Sequence, residues 1–176
     1  FQFRDLPDFV HKGEQENPKN KHVTRFLSTK LSWDQFKLLR DAVKEEGMLA
    51  ACTPFDEYSV EKIESMGFEI IKVASCSAKD FPLLTKIAES GIPVIASTGG
   101  LNIDEVDNIV SFFRHRAVEF ALMHCVSIYP TPDSACNLSC IEDFKSRYSD
   151  LTIGWSTHEP PSDLIQIGLA YSLGAR

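Results

Sequence analysis

A lysine interrupts one of the apolar runs of this sequence. Lys72 lies in the segment Ile70-Ile71-Lys72-Val73-Ala74, whose apolar residues predict a buried strand. Side chains alternate between the two faces of a strand, so Lys72 shares a face with Ile70, while Ile71 and Val73 point to the other face. A lysine taken out of water needs an opposite charge. Lys72 could therefore lie on an edge strand, form a structural ion pair, meet a bound anion or serve as a Schiff-base amine.

Small polar residues follow this strand and the next one along the chain. Ser75 comes directly after Ala74, and Ser97-Thr98-Gly99-Gly100 separates the next predicted strand from a predicted helix. Small residues allow a ligand to approach the backbone closely, and the free N–H groups at the start of a helix favour a phosphate. Together with Lys72 these residues predict a phosphate-binding site. Ser156, at the end of the last predicted strand, can add a third hydroxyl.

Two histidines and a tyrosine also lie near the ends of predicted strands. His124 and His158 end two neighbouring strands. A single histidine in such a place usually only forms a hydrogen bond, whereas two at one rim favour a divalent metal or a general acid. Tyr129 begins the stiff segment Tyr129-Pro130-Thr131-Pro132, which either holds a phenol over the site or is only a rigid connection.

The elements that must position these residues alternate regularly. Six predicted strands are each followed by a predicted helix, and this order requires parallel strands with helical crossovers. Polar residues gather where the strands end, which favours a barrel with its site at that rim. The polar segment 7–30 is predicted to be a long surface loop. The predicted fold class is therefore α/β, an incomplete parallel (β/α)8 barrel of about six βα units, in one domain that spans residues 1–176.

Composition and charge exclude several classes of protein. The net charge of the 176 residues is −7 with no clustered basic face, so no nucleic-acid partner is predicted. No signal peptide and no apolar run of about 18 residues is present, and membrane association is not predicted. The number of cysteines, five, is odd, and their spacing is not that of a zinc site. This favours free thiols in a reducing cytoplasm. Both ends look cut, so we expect the chain to be a fragment of a longer protein.

Five motifs occur in order at the ends of predicted strands. They are Thr53-Pro54-Phe55-Asp56, Lys72-Val73-Ala74-Ser75, Ser97-Thr98-Gly99-Gly100, His124-Cys125 with Tyr129-Pro130-Thr131-Pro132, and Gly154-Trp155-Ser156-Thr157-His158. Together they resemble the N-acetylneuraminate (sialic acid) synthase family, including the spore coat polysaccharide biosynthesis protein E branch. The resemblance covers almost the whole chain, segment 7–30 least well. It implies a catalytic (β/α)8 barrel whose first and eighth strands are missing here.

The resemblance also implies roles for individual residues. The phosphoenolpyruvate ligands of the family correspond to Lys72, Ser75, Ser97 and Ser156. Positions that contact the sugar correspond to Ser127 and Tyr129. His158 corresponds to one of two histidines that hold a divalent metal, Mn²⁺ or Mg²⁺, and the other would lie beyond Arg176.

Three residues depart from the family pattern on the sugar side of the site. Ser77, Thr157 and Glu159 replace residues that many members share at these positions. The match to the family is therefore fuller for phosphoenolpyruvate than for the sugar.

The resemblance implies a transferase that joins phosphoenolpyruvate to an aldehyde such as N-acetylmannosamine, giving a 2-keto-3-deoxy sugar acid and phosphate. Lys72 and His158 would be its catalytic residues, and the parent protein would be a homodimer. Two alternatives are a class I aldolase that uses Lys72 as a Schiff-base amine and a non-catalytic remnant of a barrel. In all cases we expect the 176-residue chain alone to be inactive, because parts of the family's site would be missing.

Overall fold

Six parallel strands form one sheet in the order of the chain. The computed structural model describes residues 1–156, 158–159 and 164–176. The sheet has the order β1-β2-β3-β4-β5-β6, and every neighbouring pair is parallel. The strands are β1 (Gln2–Phe3), β2 (Ala51–Pro54), β3 (Ile70–Val73), β4 (Val94–Ser97), β5 (Phe120–Cys125) and β6 (Thr152–Ser156). This order confirms the prediction of an all-parallel α/β sheet of barrel type.

Each strand is followed by helical structure. Six of the helices in the described part of the chain are α4 (Trp33–Glu45), α5 (Glu57–Ser65), α6 (Phe81–Glu89), α7 (Ile103–His115), α8 (Cys140–Arg147) and α9 (Ile165–Ser172). Side chains fix where several of them begin. The Ser32 hydroxyl accepts from the Gln35 backbone N–H while the Gln35 side chain accepts from the Ser32 N–H, and Asn102 and Glu105 form the same reciprocal cap.

The prediction of a long loop over residues 7–30 is wrong. Three short helices occupy most of this segment, namely α1 (Leu6–Phe9), α2 (Lys12–Glu16) and α3 (Lys21–Ser28). The His11 and Asn20 side chains accept hydrogen bonds from the backbone at the starts of α2 and α3. Neither helix has a fully buried residue, so the polar composition that indicated a loop belongs to exposed helices.

The hydrophobic core lies between the sheet and the helices that follow the strands. In β3, Ile71 and Val73 are buried in this core, whereas Ile70 and Lys72 are only half-buried on the opposite face. Large side chains of the helices fill this core and are almost fully buried from solvent. They include Ile63, Leu84, Ile87, Ile109, Phe113 and Ile141. The other face of the sheet, which we call the inner face, carries Lys72 and Ser97 next to apolar side chains such as Ile95 and Met123.

Two predictions from composition can be compared with the structure. All five cysteines are free thiols in the structure. In the part of the chain that the structure describes, no helix combines the length and the apolar character needed to cross a bilayer.

Candidate active site

Lys72 lies on the inner face of a central strand. Its strand, β3, is paired on both sides, with β2 and with β4, where Lys72 is opposite Ile95. The edge-strand explanation is therefore wrong. Within residues 1–156, 158–159 and 164–176, the ion pairs of the structure do not include Lys72. A structural ion pair with a described carboxylate is absent, so the ammonium group remains free to meet an anion.

Three loops converge next to Lys72 around Gly99. The Gly99 backbone N–H donates to Ser75 Oγ at 2.9 Å, and this oxygen lies 3.1 Å from Cys125 Sγ. A Cβ atom on Gly99 would lie 2.6 Å from Ser127 Oγ, 2.7 Å from Cys125 Sγ and 3.0 Å from Ser75 Oγ. We call Ser75, Gly99, Cys125 and Ser127 the Gly99 cluster. Only a residue without a side chain fits at its centre, and the cluster exposes small hydrogen-bonding groups.

Two further serines lie on the inner face. Ser97, at the end of β4, is 3% exposed, and its Oγ has no hydrogen-bond partner in the part of the chain that the structure describes. A buried hydroxyl without a partner is unfavourable by about 1–3 kcal/mol, and a ligand that accepts a hydrogen bond from it would offset this cost. Ser156 is opposite Cys125 in the register between β5 and β6 and therefore lies near the Gly99 cluster. The predicted phosphate ligands Lys72, Ser75, Ser97 and Ser156 thus lie on the inner face or at its carboxyl-end rim.

His158 is oriented by the backbone of the neighbouring loop. Its Nδ1 lies 3.0 Å from the carbonyl oxygen of Val126. A carbonyl can only accept, so Nδ1 carries the proton and Nε2 keeps a lone pair. The ring of Tyr129 packs on the imidazole with a centroid separation of 4.2 Å, although the tyrosine is 72% exposed. His158 is therefore suited to be one ligand of a divalent metal.

A complete metal site is not formed by the described residues. No group of three or more His, Cys, Asp or Glu side chains in residues 1–156, 158–159 and 164–176 is arranged to hold an ion. An ion bound to His158 would need its other ligands from substrate, water or residues outside this part of the chain.

The hypothesis that His124 and His158 share one site is wrong. His124 is 7% exposed and packs on Trp155 and Phe144, with ring centroids 5.0 and 6.1 Å away. Its Nε2 lies 2.9 Å from the carbonyl oxygen of Cys136, and burial lowers its pKa. The alternation of β5 places His124 on the helix-facing side with Leu122. His124 is thus a hydrogen-bonded core residue.

The residues that depart from the family pattern have different surroundings. Ser77 is buried in a short 3₁₀ helix after β3, over Ser75–Ser77. Glu159 accepts a hydrogen bond from the thiol of Cys136 at 3.2 Å. Thr157 lies outside the described residues.

Sequence reasoning missed Arg4, the residue after β1. Its guanidinium carbon lies 3.6 Å from the ring centroid of Phe55 and 4.0 Å from that of Phe26. The only signal in the sequence is an arginine within the predicted strand over residues 1–5, because Phe26 and Phe55 are distant along the chain.

Known proteins share this architecture and sequence. One is a crystal structure of a protein from Chromobacterium violaceum that is described as spore coat polysaccharide biosynthesis protein E. Its sequence is 45% identical to this chain and its TM-score is 0.95; the match covers 99% of this chain and 52% of the other. The crystal structure of the N-acetylneuraminic acid synthetase of Leptospira borgpetersenii is 33% identical in sequence with a TM-score of 0.83. The match covers 92% of this chain and 56% of the synthetase chain. The N-acetylneuraminate-9-phosphate synthase of Drosophila melanogaster is 37% identical over 146 residues, 82% of this chain and 39% of its own length.

The chain thus spans about half, or less, of the length of these relatives. The family model with the description NeuB family matches residues 1–176. By this match and by the identity of its relatives, the chain belongs to the NeuB family.

Proposed function

We propose that the protein joins phosphoenolpyruvate to the aldehyde of an amino sugar such as N-acetylmannosamine, giving a 2-keto-3-deoxy sugar acid and phosphate. The observation that carries this proposal is the inner-face arrangement of three groups: Lys72, the Gly99 cluster and the hydroxyl of Ser97. Neither Lys72 nor the Ser97 hydroxyl has an ion-pair or hydrogen-bond partner, respectively, among the described residues. Such a set of donors fits a small molecule with several negative oxygens. The names of the relatives support the sugar acid as the product.

Lys72 and the serines hold the donor substrate. The ammonium group of Lys72 neutralises negative charge, and the hydroxyls of Ser75, Ser97 and Ser156 donate to phosphate or carboxylate oxygens. The hydrogen bond from Gly99 N–H occupies a lone pair of Ser75 Oγ, so the hydroxyl can donate either to a ligand or to Cys125 Sγ, 3.1 Å away. These contacts orient the enol carbon for attack and stabilise the negative charge that develops on the phosphate in the transition state.

The reaction needs no covalent bond to the protein. The electron pair of the C2–C3 double bond of phosphoenolpyruvate attacks the aldehyde carbon, and the aldehyde oxygen takes a proton to become a hydroxyl. Water adds at C2, and the C2–O bond to phosphate then breaks, leaving a ketone and inorganic phosphate. Ser127 and Tyr129 contact the sugar in this arrangement, because Ser127 belongs to the Gly99 cluster and Tyr129 packs on His158.

His158 offers Nε2 to a divalent ion, Mn²⁺ or Mg²⁺, because Nδ1 is committed to Val126. Such an ion, when bound, supplies Lewis-acid polarisation of the aldehyde oxygen. Replacing His158 with Ala should weaken binding of Mn²⁺, which can be measured directly by titration calorimetry.

The test measures phosphate released from phosphoenolpyruvate by the complete polypeptide. A panel of amino-sugar aldehydes is supplied with Mn²⁺, with and without a chelator. Lys72→Ala should lower kcat/KM for phosphoenolpyruvate by roughly 10- to 100-fold, the value of a charge-assisted contact. Lys86→Ala is the matched control, because Lys86 pairs with Glu61 on the outer surface. Near-normal kinetics of Lys72→Ala would refute the assignment.

A class I aldolase remains the second candidate because Lys72 has no described ion-pair partner. In an aldolase Lys72 would form an imine with a keto substrate, and borohydride would then trap a covalent adduct. No trapped adduct together with aldehyde-dependent phosphate release would separate the synthase from the aldolase. Absence of both activities from the complete polypeptide would favour a non-catalytic remnant.

The proposal extends to the setting of the complete protein. The catalytic domain would continue as a full (β/α)8 barrel, and the protein would act as a cytoplasmic homodimer. The five free thiols support a reducing compartment. Light scattering of the complete polypeptide would test the dimer.

A further inference from the structure

Met123 lies among the proposed donor ligands on the inner face of the sheet. The period of two places Ala121, Met123 and Cys125 of β5 on this face. In the register, Met123 is opposite Ser97 of β4 on one side and opposite Gly154 of β6 on the other. Neighbouring strands lie about 5 Å apart, so an apolar side chain stands next to the groups that are proposed to hold phosphoenolpyruvate.

Gly154 determines where the Met123 side chain lies. A Cβ atom on Gly154 would overlap Met123 Sδ, and it would lie 2.8 Å from Met123 Cε and 3.0 Å from the carbonyl oxygen of Arg176. The thioether therefore lies flat over β6, in the space that a side chain at position 154 would fill. Since β4 and β6 are on opposite sides of β5, the end of Met123 points away from Ser97.

This position keeps the thioether low on the sheet. With a side chain at position 154, the end of Met123 would have to rise from β6 into the space between Lys72 on β3 and Ser156 on β6. Met123 is partly exposed in the structure, so its upper surface is available to a ligand bound there. Met123 and Gly154 together thus form an apolar floor under the proposed donor site.

Phosphoenolpyruvate has two charged groups and one small apolar edge. Its phosphate and carboxylate take the polar groups assigned above, whereas the methylene carbon C3, which attacks the aldehyde, gains from contact with an apolar side chain. On the inner face of β4, β5 and β6, the large apolar side chains among the described residues are Ile95 and Met123. Ile95 is opposite Lys72, and Met123 lies one step nearer the rim, opposite Ser97. Met123 is therefore the better placed of the two to meet C3.

We propose that Met123, held over Gly154, is a specificity residue that limits the donor to a phosphoenolpyruvate without a substituent at C3. The inference rests on the proposed function and adds a size limit at the carbon that forms the new bond. A methyl group on C3 would overlap the thioether, and one methylene against an apolar wall changes discrimination by roughly 10- to 200-fold. Shortening Met123 to alanine removes all side-chain atoms beyond Cβ, more than this methyl group adds.

Binding is measured first, without an aldehyde, so that no condensation occurs. Phosphoenolpyruvate and the two geometric isomers of its 3-methyl analogue are titrated separately into the complete polypeptide by calorimetry. The unmodified protein should bind at least one isomer roughly 10- to 200-fold more weakly than phosphoenolpyruvate. Met123→Ala should reduce that preference by about tenfold or more, and Met123→Leu, which is similar in volume, should keep most of it. Met48→Ala is the matched control, because Met48 is 57% exposed, and it should leave the preference unchanged.

Gly154→Ala tests the contribution of the glycine. It should weaken the binding of phosphoenolpyruvate itself by roughly tenfold, within the range of coupling between residues in contact. Met123→Ala in the same chain should recover most of this loss, because the overlapping atoms are then gone. The proposal would be overturned by a Met123→Ala variant with an unchanged preference against both isomers, or by a Gly154→Ala loss that Met123→Ala does not relieve.

Phosphate release with an amino-sugar aldehyde distinguishes this proposal from the proposed function. The values of kcat/KM for the donors should follow the order of their binding constants. Aldehyde-dependent release with an unchanged donor preference in Met123→Ala would keep the synthase and refute the role of Met123. Donor selection by Met123 in the binding experiment, without release with any aldehyde, would keep the specificity residue and refute the synthase. Failure of the unmodified protein to bind any of the donors would overturn both.

Discussion

Gly99→Ala is the substitution whose effect follows most directly from the geometry of the site. The added Cβ would lie 2.6 Å from Ser127 Oγ, 2.7 Å from Cys125 Sγ and 3.0 Å from Ser75 Oγ. Real Cβ atoms essentially never approach heavy atoms within 3.0 Å. All three side chains are short, so relief of the overlap requires that they rotate or that the loops separate. The substitution therefore disturbs the Gly99 cluster without removing any of its polar groups.

Two effects of different size are expected from Gly99→Ala. Overpacking of a close-packed site typically lowers the free energy of unfolding by about 1–3 kcal/mol. Displacement of Ser75 and Ser127 by a fraction of an ångström to one ångström moves donors away from the substrate, and a misplacement of this size costs up to about 100-fold in rate. The activity should thus fall more than the stability.

Urea denaturation and initial rates of phosphate release, measured on the same preparation, separate the two effects. KM for phosphoenolpyruvate should rise and kcat should fall at saturating aldehyde. The control is Gly168→Ala in α9, where an added Cβ meets nothing within 4 Å. It should raise the free energy of unfolding by about 0.5–1 kcal/mol, since alanine favours a helix over glycine. A Gly99→Ala variant with kinetics within twofold of the unmodified protein would refute the reasoning that these loops bind the donor.

Three further predictions concern stability. The hydrogen bonds from Arg147 and, to a smaller extent, Tyr148 lower the pKa of Asp107 from 3.8 to about 2. The stabilisation by this carboxylate is therefore present at neutral pH and is lost as the pH falls through that interval. The difference in urea midpoint between the unmodified protein and Asp107→Asn should shrink from pH 7 to pH 2, and a constant difference would contradict this prediction. Asn102→Ala removes the side-chain cap of α7 and should lower the free energy of unfolding by about 0.5–2 kcal/mol in urea denaturation; no change would show that the cap is not needed. Leu84→Ala empties a fully buried position and should cost about 2–5 kcal/mol by the same measurement, whereas a loss below 1 kcal/mol would mean that the core relaxes around the cavity.

The sheet and its inner-face lysine could be predicted because the signals are local. The alternation around Lys72 is contained in five consecutive residues, and the structure places Ile71 and Val73 in the core as the period of two requires. The same rule was available for His124, which shares its face with the buried Leu122. It favours the hydrogen-bonded interpretation of His124 over the alternative of a metal ligand or general acid, since its ring lies on the core side and meets the Cys136 carbonyl.

The helices of segment 7–30 and the surroundings of Arg4 could not be predicted in this way. The segment is polar on most sides, and its helices begin at His11 and Asn20, two residues that also favour turns. The contacts that hold this segment in place join rings far apart in sequence, since Phe26 and Phe55 both pack on Arg4 and on Phe9. A contact of this kind leaves no periodic pattern in the sequence from which it could be predicted.

This difference separates the two sides of the proposed site. The donor side is built at strand ends, where the hydrogen-bonded register fixes Lys72, Ser97 and Ser156 relative to one another. The proposed sugar contacts Ser127 and Tyr129 lie instead on the loop after β5, where both side chains are exposed. Substitutions in this loop can change which acceptor is bound while the parallel ladder continues to hold the donor groups.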